Sequence, residues 1–280
     1  MQHHEIDLGR IKLHAVAAGD GPLVVLLHGF PEFWYSWRHQ LTALAAAGLR
    51  AVALDMRGYN LSAKPRGVRA YVADQLVADV AAYIEQASDG PAYLVGHDWG
   101  GVVAWRCAAL FPRLIRKLAI LNAPHPAAYL RTLRRKPGQW LRSSYAGLFQ
   151  IPGLAESVLR FGDFRLLERG LHGQAPQAFS DEDIARYKAA WRMPGALTSM
   201  LNYYRGAFWH SEPLFGSPQT CDVPTLLIWG ERDPFLSIDL TQGLEKWVPD
   251  LKVERIPTAG HWVQNEAAEE VNRLLLRCCS

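Results

Sequence analysis

Apolar positions along the chain fall into two alternating patterns. Short runs without a polar partner stand at 23–27 (Leu-Val-Val-Leu-Leu), 51–54, 92–95, 118–121 and 225–229. A run that is apolar on both faces predicts a strand buried on both sides, the mark of a parallel sheet. Each is followed within two residues by Gly, Asn or Asp, which turn the chain. A last strand-like run covers 251–256. Between the runs lie helix-like stretches at 37–47, 70–87, 102–111 and 266–277. This alternation predicts an α/β fold with a mostly parallel central sheet flanked by helices. The opening is different: Ile6 and Leu8, then Ile11, Leu13 and Ala15, alternate with mostly polar residues. That pattern predicts a half-exposed antiparallel hairpin at the sheet edge.

The alternation stops between about 126 and 218. Helical patterns there are punctuated by Pro137, Pro152, Pro176, Pro194 and Pro213, and no strand-like run occurs. So long a helical stretch inside a β/α series is an insertion rather than a linker. Following the 118–121 strand, it is expected to sit over the carboxyl ends of the strands, where open α/β sheets bind ligands. The expected division is a core of 1–125 and 219–280 with an all-helical cap of 126–218. Arg131, Arg134, Arg135 and Lys136 open the insertion, and a solvated helix face is the favoured reading.

Composition narrows the function classes. The chain has 280 residues, 49% hydrophobic and 20% charged, which excludes disorder and coiled coil. Thirty basic against 27 acidic residues give a net charge of +3, no electrostatic case for nucleic acid. Ten each of Trp, Tyr and Phe suit a large aromatic-lined pocket. Cys107, Cys221, Cys278 and Cys279 form neither a disulfide framework nor a zinc pattern. The first residues lack an apolar signal core, and the last four lack a prenylation box. No stretch reaches the ~18 apolar residues of a membrane span. A cytoplasmic protein without a membrane partner is expected, monomer or homodimer.

The chemistry centres on Gly96-His97-Asp98-Trp99-Gly100-Gly101, between a strand and a helix. Glycines two before and two after a central residue match a nucleophile elbow, with Asp98 where Ser usually stands. The plainer alternative is a turn with Asp98 as helix N-cap. An elbow requires an acid and then a His further along. Asp233 follows the 225–229 strand and His261 follows the 251–256 run, so the order is nucleophile, acid, base. Glu231 is the rival acid. His28-Gly29-Phe30-Pro31, at another strand end, is the oxyanion-hole candidate, with the Phe30 and Trp99 N–H groups converging on a developing negative oxygen. A cis bond before Pro31 would aim the Phe30 N–H inward. A carboxylate needs no base to attack, which suits in-line displacement at an epoxide or halogen-bearing carbon. A His-activated water then hydrolyses the ester. That chemistry needs no cofactor and no metal.

His28-Gly29-Phe30-Pro31-Glu32 with Trp37-Arg38, Asp55-Met56-Arg57-Gly58-Tyr59, the elbow, and Gly260-His261-Trp262 together resemble the soluble epoxide hydrolase family of the α/β-hydrolase fold, over nearly the whole chain. The resemblance implies an epoxide substrate, water, and a vicinal diol product. It also implies two cap tyrosines that donate to the epoxide oxygen. Ser143-Ser144-Tyr145 and Leu201-Asn202-Tyr203-Tyr204-Arg205 match those motifs, pointing to Tyr145 and Tyr204. The alternative is that both are packing residues and Tyr203 faces the pocket. Further pocket candidates are His28, Pro31, Trp34, His97, Phe149 and Trp262. Asn60 stands where the family often has Gly, and Asn tolerates the left-handed backbone. Dehalogenases share the individual motifs, but often carry Asn after the His-Gly pair where this chain has Phe30. The competing functions are a haloalkane or haloacid dehalogenase, and an inactive ligand-binding hydrolase.

Overall fold

A computed structural model describes residues 1–135, 137–172, 175–210, 214 and 220–280. Its centre is an eight-stranded sheet in the order β1-β2-β4-β3-β5-β6-β7-β8. The strands are β1 Gln2–Asp7, β2 Lys12–Ala18, β3 Leu23–Leu27, β4 Arg50–Asp55, β5 Ala92–His97, β6 Ile115–Leu121, β7 Thr225–Gly230 and β8 Leu251–Ile256. Only the pairings of β2, with β1 and with β4, are antiparallel. The hairpin at the sheet edge therefore stands as the alternating pattern predicts. In β3 every residue is buried, because alternate side chains enter two different cores. Leu23, Val25 and Leu27 join one face, Val24 and Leu26 the other. β8 is the far edge and is only partly buried, which explains its mixed composition.

Helices α1 Arg38–Ala46, α2 Ala73–Ala87 and α3 Trp99–Leu110 flank the sheet. At the end of the chain come α10 Val263–Glu266 and α11 Ala268–Cys279. Leu41 and Leu44 of α1 share one core with Leu274 and Leu275 of α11, while Leu76, Val77 and Val103 of α2 and α3 fill the other. Several boundaries depart from the expected ones. The 102–111 helix begins at Trp99, because Gly100 and Gly101 carry no side chain for the apolar pattern to register. The 37–47 and 70–87 helices are each preceded by a 3₁₀ turn, Trp34–Trp37 and Val68–Tyr71. The 266–277 helix is broken at Ala267, whose φ of −130° and ψ of 47° lie outside the helical region.

Between β6 and β7 run α4 Pro126–Arg135, α5 Pro137–Arg142, α6 Tyr145–Phe149, α7 Leu154–Leu171, α8 Asp181–Arg192 and α9 Ala196–Trp209. Among the described residues this segment contains no strand. Lys136, Pro213 and the expected boundary at 218 lie outside the described residues. Arg134 and Arg135 are exposed as expected, but Arg131 donates to the carbonyls of Gln242 and Gly243 and covers the Trp247 ring. No helix among the described residues is long and apolar enough to cross a membrane. All four cysteines are free.

The inserted helices are joined to the sheet through buried polar contacts. Arg57, just beyond β4, binds Asp79 of α2 from Nε at 2.6 Å and Nη2 at 2.7 Å. Its carbonyl accepts from the Tyr203 hydroxyl of α9 at 2.8 Å. Both charged side chains are nearly buried, so removing one strands the other in a poorly solvated site. Asp79→Ala is therefore expected to cost about 3 kcal/mol or more. Urea unfolding measures this, and a loss below about 1 kcal/mol, the scale of exposed pairs, would contradict it.

Candidate active site

Asp98 follows β5 at φ 48° and ψ −120°, a backbone conformation that costs a non-glycine residue about 1–3 kcal/mol. The surrounding glycines make it possible. A Cβ on Gly96 would lie 2.5 Å from the Gly100 oxygen, and one on Gly100 would lie 2.2 Å from the Leu27 oxygen. The bend brings the start of α3 against β3, and only bare backbone fits between them. The Asp98 side chain makes no N-cap hydrogen bond, so the capping alternative does not hold. Its Oδ1 instead accepts the Phe30 N–H at 2.8 Å. The Phe30–Pro31 peptide bond is cis. Trp99 occupies the first position of α3, where helical geometry leaves backbone N–H groups without intrahelical acceptors.

Asp233 and His261 reach the same sheet edge from β7 and β8. His261 Nδ1 lies 2.7 Å from Asp233 Oδ2, and Nε2 lies 3.8 Å from Asp98 Oδ2. The second separation is too long for a hydrogen bond. Asp233 is wholly buried, with Oδ1 accepting the N–H groups of Phe235 at 2.7 Å and Leu236 at 2.9 Å. Its Oδ2 also accepts from Asn122 Nδ2 at 2.8 Å. Glu231, the rival acid, is exposed. Burial works against the Asp233 charge, but the His261 charge and hydrogen bond, with those from Asn122 and Leu236, hold its carboxyl below the usual range. Burial likewise opposes protonation of His261. The Asp233 carboxylate outweighs it, Asp98 adds to the effect, and the imidazole is raised to about 9.

Rings from the inserted helices face this group. Tyr204 of α9 meets Trp99, Phe30 and Phe149 edge-on, with centroids at 5.1, 5.3 and 4.9 Å. Tyr145 of α6 lies 6.1 Å from Tyr204 and 5.4 Å from Phe149. Burial raises both phenol pKa values, and the negative charge of Asp98 raises them further. Both are therefore neutral donors. Tyr203, the alternative, points into the core and binds the Arg57 carbonyl.

The other pocket candidates divide. Phe149 and Trp262 are placed beside the group, Trp262 edge-on to His261 at 4.6 Å with its indole N–H on the Gly170 carbonyl. Pro31 is buried, and its carbonyl accepts the Trp191 indole N–H at 2.6 Å. His28 and His97 offer no free ring nitrogen to a substrate. Both are completely buried with both ring nitrogens engaged. His28 bridges the Gly29 carbonyl and the Met56 N–H. His97 bridges Glu32 Oε2 at 2.8 Å and the His261 carbonyl at 2.9 Å. A histidine at a strand end reads as a ligand-facing group, but the strand's alternation turns these two inward. Trp34 packs on His3, Phe33 and Tyr35. Asn60 takes a left-handed φ of 39° and donates to Asp55.

Sequence reasoning missed a supporting layer. Asn122, just past β6, clamps both the N–H and the carbonyl of Gly230 besides holding Asp233. Buried Glu32 also receives Gln264 Nε2 at 3.0 Å. Glu266 accepts the Gly260 and Trp262 N–H groups and so fixes the loop that carries His261. Asn122 carries a signal as a polar residue at a strand end beside the elbow strand, and Glu32 closes the His28-Gly29-Phe30-Pro31-Glu32 motif without a role that its spacing reveals.

A family model described as alpha/beta hydrolase fold matches residues 22–268. The AB hydrolase superfamily protein YfhM of Bacillus subtilis is 43% identical over 97% of this chain and 95% of its own. Epoxide hydrolase 4 of mouse is 37% identical over 95% of this chain and 75% of its own. Among solved structures, a Bacillus megaterium epoxide hydrolase in complex with an inhibitor superposes with a TM-score of 0.92, at 33% identity and covering 99% of both chains. Asp98 at a glycine-bounded bend, an acid and a histidine from later strands, and an all-helical insertion agree with these matches: the chain belongs to the epoxide hydrolase family of the α/β-hydrolase fold.

Proposed function

We propose that this protein hydrolyses epoxides to vicinal diols through an ester on Asp98. One observation carries the reading: two buried, neutral phenols come from the inserted helices, Tyr204 edge-on to Trp99 and Phe30 and Tyr145 beside it, and the Asp98 charge raises the pKa of both. Residues 126–218 act as the cap that supplies them. An epoxide oxygen is a poor leaving group unless it is protonated or hydrogen-bonded as the ring opens, whereas a leaving halide needs no proton. Oδ1 is held by the Phe30 N–H, so Oδ2 is the oxygen free to attack. The new bond joins Oδ2 to a ring carbon, the carbon–oxygen bond breaks, and the ring oxygen takes a phenolic proton.

Hydrolysis follows at the same carboxyl carbon. His261 Nε2 takes a proton from water, and the water oxygen adds to Cγ. Negative charge collects on Oδ1, toward the Phe30 and Trp99 N–H groups. Collapse releases the diol with Oδ2, and its alkoxide takes the proton from His261. The carboxyl proton then restores the tyrosine through solvent. Esterification has a useful electrostatic effect. It removes the Asp98 charge, one of the groups that raise the His261 pKa, and so leaves more of the imidazole in the neutral, proton-accepting form at the moment water must be activated. Free thiols at all four cysteines support a reducing, cytoplasmic setting.

Three outcomes test this. In the resting protein, the His261 imidazole is expected to titrate near pH 9 by NMR, and Asp233→Asn should bring that value down. Titration at an ordinary histidine value in the native protein would contradict the coupling. In His261→Gln mixed with styrene oxide, alkylation proceeds but hydrolysis stalls. Mass spectrometry should then find an adduct on the peptide that contains Asp98, and its absence there counts against the assignment. Replacing Tyr145 or Tyr204 by Phe should slow alkylation by up to about 10²-fold, and the double change should nearly abolish it. Strong halide release from haloalkanes that survives the double change would favour a dehalogenase.

A further inference from the structure

Three hydrogen bonds run from α5 of the insertion to the loop that carries Asp233. Gln139 Nε2 donates to the Phe235 carbonyl at 2.9 Å. Gln139 Oε1 accepts the Ser237 N–H at 3.0 Å. Arg142 Nη1 donates to the Asp233 carbonyl at 2.8 Å. Gln139 is buried, and its amide is steadied by Ser143 Oγ at 3.0 Å, which also receives the Tyr129 hydroxyl. On its inner side the same loop is pinned to the acid, since the Phe235 and Leu236 N–H groups both donate to Asp233 Oδ1. The Phe235 ring stands edge-on to His261 at 5.2 Å and to Tyr145 at 5.9 Å.

We infer that Gln139, assisted by Arg142, is a positioning residue for the catalytic base: it fixes the 233–237 loop so that Asp233 keeps His261 aimed at the ester. A residue that only anchored α5 could do so through one surface contact. Here a buried neutral amide uses both its ends on the backbone either side of Leu236, gripping the same stretch whose Phe235 and Leu236 N–H groups orient the Asp233 carboxylate. Any slip of the loop rotates that carboxylate away from His261 Nδ1. The insertion is thereby coupled to hydrolysis of the ester as well as to ring opening.

The inference rests on the function proposed above, and the test separates the two. Gln139→Met keeps the length and removes both hydrogen bonds. Gln139→Glu keeps only the acceptor for the Ser237 N–H, and Arg142→Met acts at an exposed position. Single-turnover kinetics with styrene oxide, followed across pH, resolve alkylation from hydrolysis. In Gln139→Met, alkylation should stay within about threefold while hydrolysis slows by about 10- to 100-fold. Glu and the Arg142 change should be milder in the same direction, and carry the test if Met prevents folding. His261 is faced by Asp233, Asp98, Glu32 and Glu266, with the His97 ring at 4.9 Å. Of these only the Asp233 loop is loosened, so the acid limb of hydrolysis should move to lower pH. Equal slowing of both steps, or an unmoved limb, overturns the inference. If wild type forms no adduct with the epoxide, the proposed function fails. The positioning role is then decided by NMR titration of His261 in the same variants, where an unchanged value overturns it.

Discussion

The reactive arrangement depends on the bend at Asp98. A parallel sheet delivers strand ends to one edge, but a strand running directly into a helix would bury the intervening side chain. Holding Asp98 at positive φ, with bare glycine backbone passing Leu27 and Gly96, turns the carboxylate out over that edge. It then meets the Phe30 N–H from β3 and the imidazole from beyond β8. The strain is local, while its compensation is distributed over β3, β5 and α3, whose packing leaves the bend no relaxed alternative.

A second constraint is electrostatic. Asp233 and His261 are both buried, a costly condition for any ionisable pair unless their remaining lone pairs and protons are satisfied. The structure satisfies them from several directions at once. Asn122 and two loop N–H groups hold the acid, while His97 and Glu266 hold the backbone around the histidine. Glu32 and Gln264 close a further circuit between the loop after β3 and the segment after His261. The pair is therefore part of a continuous polar layer beneath the reacting carboxylate, which limits how far any one member can turn.

How much of this was legible in the residues follows from the range of each signal. The strands, the edge hairpin and the helical insertion announce themselves through local periodicity. Asp98, Asp233 and His261 could be placed because each sits just beyond a strand that the pattern marks. Glu32, Gln264, Glu266 and Gln139 could not, because each acts on a partner in another segment and no local spacing encodes that pairing. His28 and His97 mislead for a related reason. Their positions at strand ends were visible, but which way the final residue of a strand points depends on the sheet register. The start of α3 escapes the apolar pattern because Gly100 and Gly101 stand in its first turn.

The tyrosines stand on a part of the chain that the sheet does not need. Every group proposed to make and break the ester lies on loops after β3, β5, β7 and β8, whereas Tyr145 and Tyr204 lie on α6 and α9, both inserted between β6 and β7. In the proposed mechanism, ring opening draws its donors from the insertion, while the ester forms on the loops of the sheet. On that mechanism, exchanging α6 and α9 for others would alter the class of bond that is broken, provided α5 kept its hold on the Asp233 loop. On that view, the kinship with dehalogenases visible in the short motifs reflects a shared sheet edge, and the divergence between the two chemistries is carried by the insertion.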